Sequence, residues 1–100
     1  MSVFRHTVLL RFREGTSDEQ IDAVLEGLAT MPQLIGWIRR YEFGRDLGVM
    51  EGNPQVALVA DFDSEEDWRA YQEHPDHQAL VQGVIAPILD SMTRVQYRVG

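Results

Sequence analysis

The densest chemistry in the chain lies in the stretch Asp67-Trp68-Arg69-Ala70-Tyr71-Gln72-Glu73-His74-Pro75-Asp76-His77, which holds two of the three histidines with a tyrosine and a tryptophan. A histidine titrates near neutrality and can take up a proton at working pH, and a phenol can polarise a carbonyl oxygen. Tyr71 and His77 are therefore the candidate catalytic pair, with His74 beside them. The third histidine, His6, lies far away in sequence, so the fold must bring it to the same place if it takes part.

Two local signals position this stretch. Ser64 reads as an N-cap, followed by Glu65, Glu66 and Asp67 where unpaired amides and the helix dipole favour negative charge. A helix should start there, with Trp68 and Tyr71 three residues apart on one face. Pro75 ends it, because the residue before a proline is pushed out of the α region. Pro75 also suits the first position of a new helix, where its missing N–H costs nothing, which puts His77 in the opening turn. Tyrosine and histidine thus converge at one kink.

The same residues admit a structural reading, in which one imidazole caps a helix end while Tyr71 packs in the core; buried polar groups ordinarily find such partners. A divalent ion needs at least three converging ligands, and beyond His74 and His77 only His6 is available as the third. No metal and no cofactor are expected.

Sixteen acids against nine bases give a net charge of −7, and every base is arginine. Without a basic cluster, an acidic chain is a poor match for nucleic acid or an anionic membrane, so neither is an expected partner. There is no cysteine, which removes disulfides, thiolate catalysis and cysteine-based metal sites. The opening residues lack an apolar signal core and no stretch is long and apolar enough to span a bilayer, so a cytoplasmic location is the default expectation.

From Val3 to Arg13 residues alternate, with Phe4, His6, Val8, Leu10 and Phe12 on one face. This is a strand, with His6 in an apolar row. Ser17 and Gln20 form a capping-box pattern before a helix whose Ile21, Val24, Leu25 and Leu28 follow helical spacing, and Met31-Pro32 should end it. Gly36–Arg45 reads as an edge strand and Asp46–Pro54 as a long connection. Gln55–Phe62 is apolar on both faces and should be a central strand covered on both sides. Gln78–Leu89 is helix-like, with Pro87 marking its breakdown, and a last strand carries Thr93, Val95, Tyr97 and Val99 opposite Arg94, Gln96 and Arg98. The order β-α-β-β-α-β over residues 1–100 predicts one α+β domain of ferredoxin-like type, a four-stranded antiparallel sheet with helices on one face.

With His6 in its opening strand, Phe62 and Ser64 before the second helix, and Tyr71-x-x-His74-Pro75-x-His77 after it, the chain resembles the stress-responsive A/B barrel domain family over its whole length. The resemblance implies a homodimer in which two sheets close face to face as a dimeric α+β barrel, with a pocket in each subunit between sheet and helices. Most members have no assigned activity; one plant relative, olivetolic acid cyclase, closes a linear polyketide by an aldol reaction. Its tyrosine and histidine fall on Tyr71 and His77, which implies a carbonyl orienter and a general base, and His6 matches a pocket histidine. Val56 stands where that enzyme has a further histidine, and Val24 and Leu28 replace its aromatic wall, so cyclase activity itself does not carry over.

Strand alternation expects a pocket in which Tyr71 and His77 meet His6, Val8 and Leu10 of the first strand. Val24 and Leu28 of the first helix, Val56 and Leu58 of the third strand, and His74 and Ile88 complete the expected ligand-binding set. Two functions fit: a non-catalytic homodimer that binds a small molecule or serves as a stress-associated structural protein, and an enzyme of cyclase or lyase type acting on a carbonyl-bearing, polyketide-like or aromatic metabolite. A small apolar, carbonyl-bearing ligand is the expected partner beside the second subunit.

Overall fold

The computed structural model describes residues 2–100. Four antiparallel strands, β1 (Val3–Phe12), β2 (Arg40–Arg45), β3 (Val56–Phe62) and β4 (Leu89–Val99), form one sheet in the order β2-β3-β1-β4. Helices α1 (Asp18–Leu34), α2 (Glu65–Glu73) and α3 (Pro75–Leu80) lie on the connections between them. The result is the ferredoxin-like α+β arrangement expected from the element order.

The caps behave as their chemistry requires. Ser17 accepts from the Gln20 amide while the Gln20 side chain accepts from the Ser17 amide, a complete capping box that satisfies two otherwise orphaned donors. Ser64 likewise accepts from the Asp67 amide to start α2. The core lies between the helices and the inward rows of the sheet, where Phe4, Val8, Leu10 and Phe12 of β1 and Val56, Leu58, Ala60 and Phe62 of β3 are all buried.

Three boundaries and the covering of one strand differ from the sequence reading. Pro32 does not stop α1, which runs on to Leu34; so near the C-terminus, a proline removes only one of the last backbone bonds. Gly36, Trp37 and Ile38 form a turn and link rather than strand, so β2 begins at Arg40. The segment after His74 is not one α-helix: α3 ends at Leu80, a π turn covers Val81–Ile85, and a 3₁₀ turn covers Ala86–Ile88 before Leu89 enters the strand. Finally, β3 is central but covered on one side only within the chain. Ala57 is exposed and Val59 half-buried on its outer row.

That outer face continues onto β4. Thr7 stands opposite Val95 and Val59, and Leu9 opposite Thr93 and Ala57, so the apolar row of β4 points away from the helices. Val95 and Tyr97 keep about half their surface exposed, at 52% and 46%. Arg5 crosses this face to make a two-pronged bond with Asp61, both arms at 2.8 Å. The guanidinium holds the Asp61 carboxyl below its ordinary range.

Candidate functional site

One rung across the sheet organises the site. Tyr41, Ala60, His6 and Gln96 lie directly opposite one another on β2, β3, β1 and β4, and directly opposed residues share a face. The small Ala60 leaves room above it. Tyr71 descends from α2 into that room and its hydroxyl meets the Tyr41 hydroxyl at 2.8 Å. The Tyr71 ring lies against Phe62 on one side, with centroids 5.1 Å apart, and against His77 at 4.3 Å.

The kink at His74-Pro75 brings His77 there. His74 is the last cap of α2 and the first of α3, and its Nδ1 accepts from the Asp76 amide at 3.1 Å. Restarting the helix at Pro75 turns His77 back toward the carbonyl of Gln72, which its Nδ1 approaches at 3.3 Å. A carbonyl can only accept, so Nδ1 carries the proton and Nε2 keeps its lone pair. Burial holds the His77 pKa below its usual value, the Gln72 carbonyl opposes that shift, and His74 adds to it.

His6 has the complementary form. With Gln96 Nε2 donating to His6 Nδ1 at 2.9 Å, the proton of His6 sits on Nε2. Burial, followed by the neighbouring His77 and Arg94, pushes its pKa down to about 4. Both rings are therefore neutral at pH 7, one with a free acceptor and one with a free donor. Among the described residues neither Nε2 has a partner, and neither is sealed from solvent.

The phenols complete the polar set. Burial pushes Tyr71 up to about 12, with its bond to Tyr41 acting the other way, and raises Tyr41 further still. Tyr41 does not line the cavity, so Tyr71 is the one hydroxyl partner it has. Either hydroxyl can be the donor of that one bond; with Tyr41 donating, the Tyr71 proton is left for a molecule in the cavity.

That cavity has a volume of about 140 Å³. His6, Val8 and Leu10 of β1 and Leu58 of β3 form its floor, with Leu28 from α1 and Tyr71 and His77 from the helical side. Val24, Val56 and Ile88, expected on its wall, are instead sealed in the core. His74 is not in it either; its ring stands 5.8 Å from Trp37 and it serves as the helix cap. The missed wall residues include Gln72 of α2, Gln78, Leu80, Val81, Ile85 and Ala86 from the segment read as one helix, and Leu89, Met92 and Arg94 of β4. Tyr41 and Gln96 were also missed. Their signal was present as strand alternation, but only the cross-strand register places them opposite His6. Among the described residues no group of three or more His, Asp or Glu side chains is placed to hold a metal ion, and no helix is long and apolar enough to cross a membrane.

A ferredoxin-like sheet with one bare face, a helix-side cavity and a Tyr-x-x-His-Pro-x-His kink defines an α+β barrel class of protein. The chain belongs to the stress responsive A/B barrel domain family, whose model matches residues 4–99. It is similar to the stress-response A/B barrel domain-containing protein HS1 of Arabidopsis thaliana, with 24% identity over 94% of this chain and 87% of that protein. Among solved structures it resembles a dimeric ferredoxin-like protein of unknown function from Thermobifida fusca, with 39% identity, a TM-score of 0.89, and coverage of 98% of this chain and 92% of that one. A hydroxynitrile lyase from Passiflora edulis shares the fold, at 19% identity and a TM-score of 0.84 over 98% of this chain and 94% of that one.

Proposed function

We propose that the protein is a cytoplasmic homodimer that binds one small, largely apolar, carbonyl-bearing molecule in the helix-side cavity of each subunit. The observation that carries this reading is the cavity itself: apolar walls with a few convergent polar groups, the usual form of a small-molecule site. Its volume is below that of a drug-sized site and is close to what holds a single aromatic ring. The ketone acetophenone is a suitable probe. Titration followed by NMR should move resonances of Leu58, Tyr71 and His77, and Leu58→Trp should abolish those shifts by filling the space. Shifts confined to other surfaces would count against the site.

Dimerisation is supported by the bare outer face, where Leu9, Val59, Val95 and Tyr97 form an apolar strip too continuous for a lone subunit, and by the dimeric Thermobifida fusca relative. Light scattering at micromolar concentration should give twice the chain mass. Val59→Arg should halve it by forcing an unpaired charge into the contact.

A second reading, proton-transfer catalysis, is favoured by the tautomer of His77. Its free Nε2 would take a proton from the carbon next to the carbonyl, while the Tyr71 hydroxyl donates to the developing enolate oxygen. Deuterium uptake into the methyl group of acetophenone in D₂O should then be accelerated by the protein and lost in His77→Ala. Binding without exchange would leave the binding reading and remove the catalytic one.

A further inference from the structure

The charges around the cavity point to a narrower class of ligand. Eight of the nine arginines have a partner among the described residues. Five face a carboxylate, Arg11 and Arg13 donate to the carbonyls of Gly52 and Leu89, and Arg98 lies over the Phe4 ring at 5.8 Å. Arg94 alone has none, and Arg94 stands on the wall of the cavity. No aspartate or glutamate shares that wall, although acids outnumber bases in the chain sixteen to nine.

The register places the charge usefully. Arg94 faces Val8 on the rung next to the His6–Gln96 rung, on the same side of the sheet. Two residues along a strand span about 7 Å. A molecule lying across the two rungs would present one end to the arginine and the other to His6, His77 and Tyr71. With both histidines neutral, the guanidinium is the one formal charge on the wall, and it is open to solvent at the mouth. A planar fork of N–H donors matches the paired oxygens of a carboxylate or a phosphate, and the smaller, singly charged carboxylate suits a cavity of about 140 Å³ with apolar walls.

We infer that the ligand of this cavity is a small carboxylic acid with a ring-sized or branched apolar body, its carboxylate on Arg94 at the mouth and its apolar body against Val8, Leu28 and Leu58. This rests on the small-molecule reading of the cavity and adds the identity of the head group. The lowered pKa of His6, to which Arg94 contributes, is consistent with the guanidinium's field reaching the cavity interior.

Benzoate and its neutral isostere benzamide separate the two levels. In methyl-detected NMR titrations of the intact protein at low salt, benzoate should shift Val8, Leu28 and Leu58 with a Kd at least fivefold below that of benzamide. Arg94→Gln, an exposed substitution that leaves the core alone, should bring the two probes to equal affinity, and raising the ionic strength should weaken benzoate in the wild-type protein only. Equal affinities in the wild-type protein, an Arg94→Gln variant that keeps the preference, or benzoate shifts confined to the Arg11 and Arg13 end of the sheet would overturn the carboxylate assignment. If benzamide then still enters the cavity, the small-molecule reading stands without it. If neither probe moves a cavity methyl, both readings fall together.

Discussion

The hydroxyls of Tyr41 and Tyr71 meet at 2.8 Å although the residues come from an edge strand and a helix thirty positions apart. The contact ties the depth of Tyr71 in the core to the register of β2 on β3. A change at Tyr41, outside the cavity, should therefore be felt inside it.

Tyr41→Phe should lower the unfolding free energy by about 1–2 kcal/mol, the cost of a lost bond that leaves a buried hydroxyl short of a partner. Tyr71→Phe should cost about the same, and the double variant less than the sum of the two. Urea denaturation of the three proteins measures the coupling. Strictly additive losses would mean that the hydroxyl contact contributes nothing to stability.

His77→Ala should cost little stability, about 1 kcal/mol, because the Gln72 carbonyl it approaches also accepts from Gln78 Nε2 at 2.7 Å and stays satisfied. What is lost is packing against Tyr71. Acetophenone binding should weaken far more than the melting temperature falls. A drop equal to several kcal/mol would instead mark the imidazole as part of the frame.

Acid should destabilise the protein through its histidines before its carboxylates matter. His6 has a folded pKa of about 4 against an ordinary 6.5, so the unfolded chain binds the proton first as pH falls. The stability due to neutral burial is complete above about 6.5 and is lost progressively down to about 4. His77 is lowered in the same direction. Melting temperature should therefore be level from pH 8 to 7 and decline toward pH 5, with a shallower decline in His6→Gln. The contribution of Asp61, whose pKa is depressed below 3.8, is lost only at still lower pH.

Gly27 offers a test of the helical layer. Alanine in a helix interior normally gains close to 1 kcal/mol over glycine, but a methyl group here would run into the Leu80 side chain, well inside van der Waals contact. Gly27→Ala should thus lower the melting temperature instead of raising it. Combining it with Leu80→Ala should cost less than the two changes added together, and calorimetry of the set decides the matter.

Local chemistry was legible in the sequence at the helix caps, though not at Pro32, which sits too near the end of α1 to stop it. Ser17 with Gln20, Ser64 with its acidic turn, and Pro75 with His74 name their own helix ends, because caps depend on residues within one turn. The inward row of β1 was equally plain from alternation. What could not be read was pairwise. Tyr41 joins the site only because it stands opposite Ala60, and Gln96 only because it stands opposite His6. The segment after Leu80 was misread for a related reason: its apolar residues fit a helix, but a π turn shifts the later ones around the axis. That shift leaves Ile88 in the core, while Val81 and Ala86 stand on the wall.

The pairing of β1 with β4, from Val3 opposite Val99 to Phe12 opposite Leu89, joins segments far apart in the sequence. Contacts of such wide sequence separation require most of the chain to be organised first, and they slow folding. On a ribosome, β1 can pair with β3 first, but its second neighbour does not exist until residues 89–99 have been made. Until then His6 lacks Gln96, the cavity lacks Arg94, and the row of Thr7 and Leu9 has an open edge that invites pairing with another chain. Completion of the site and the covering of the β1 edge are thus one late event, timed by the arrival of β4.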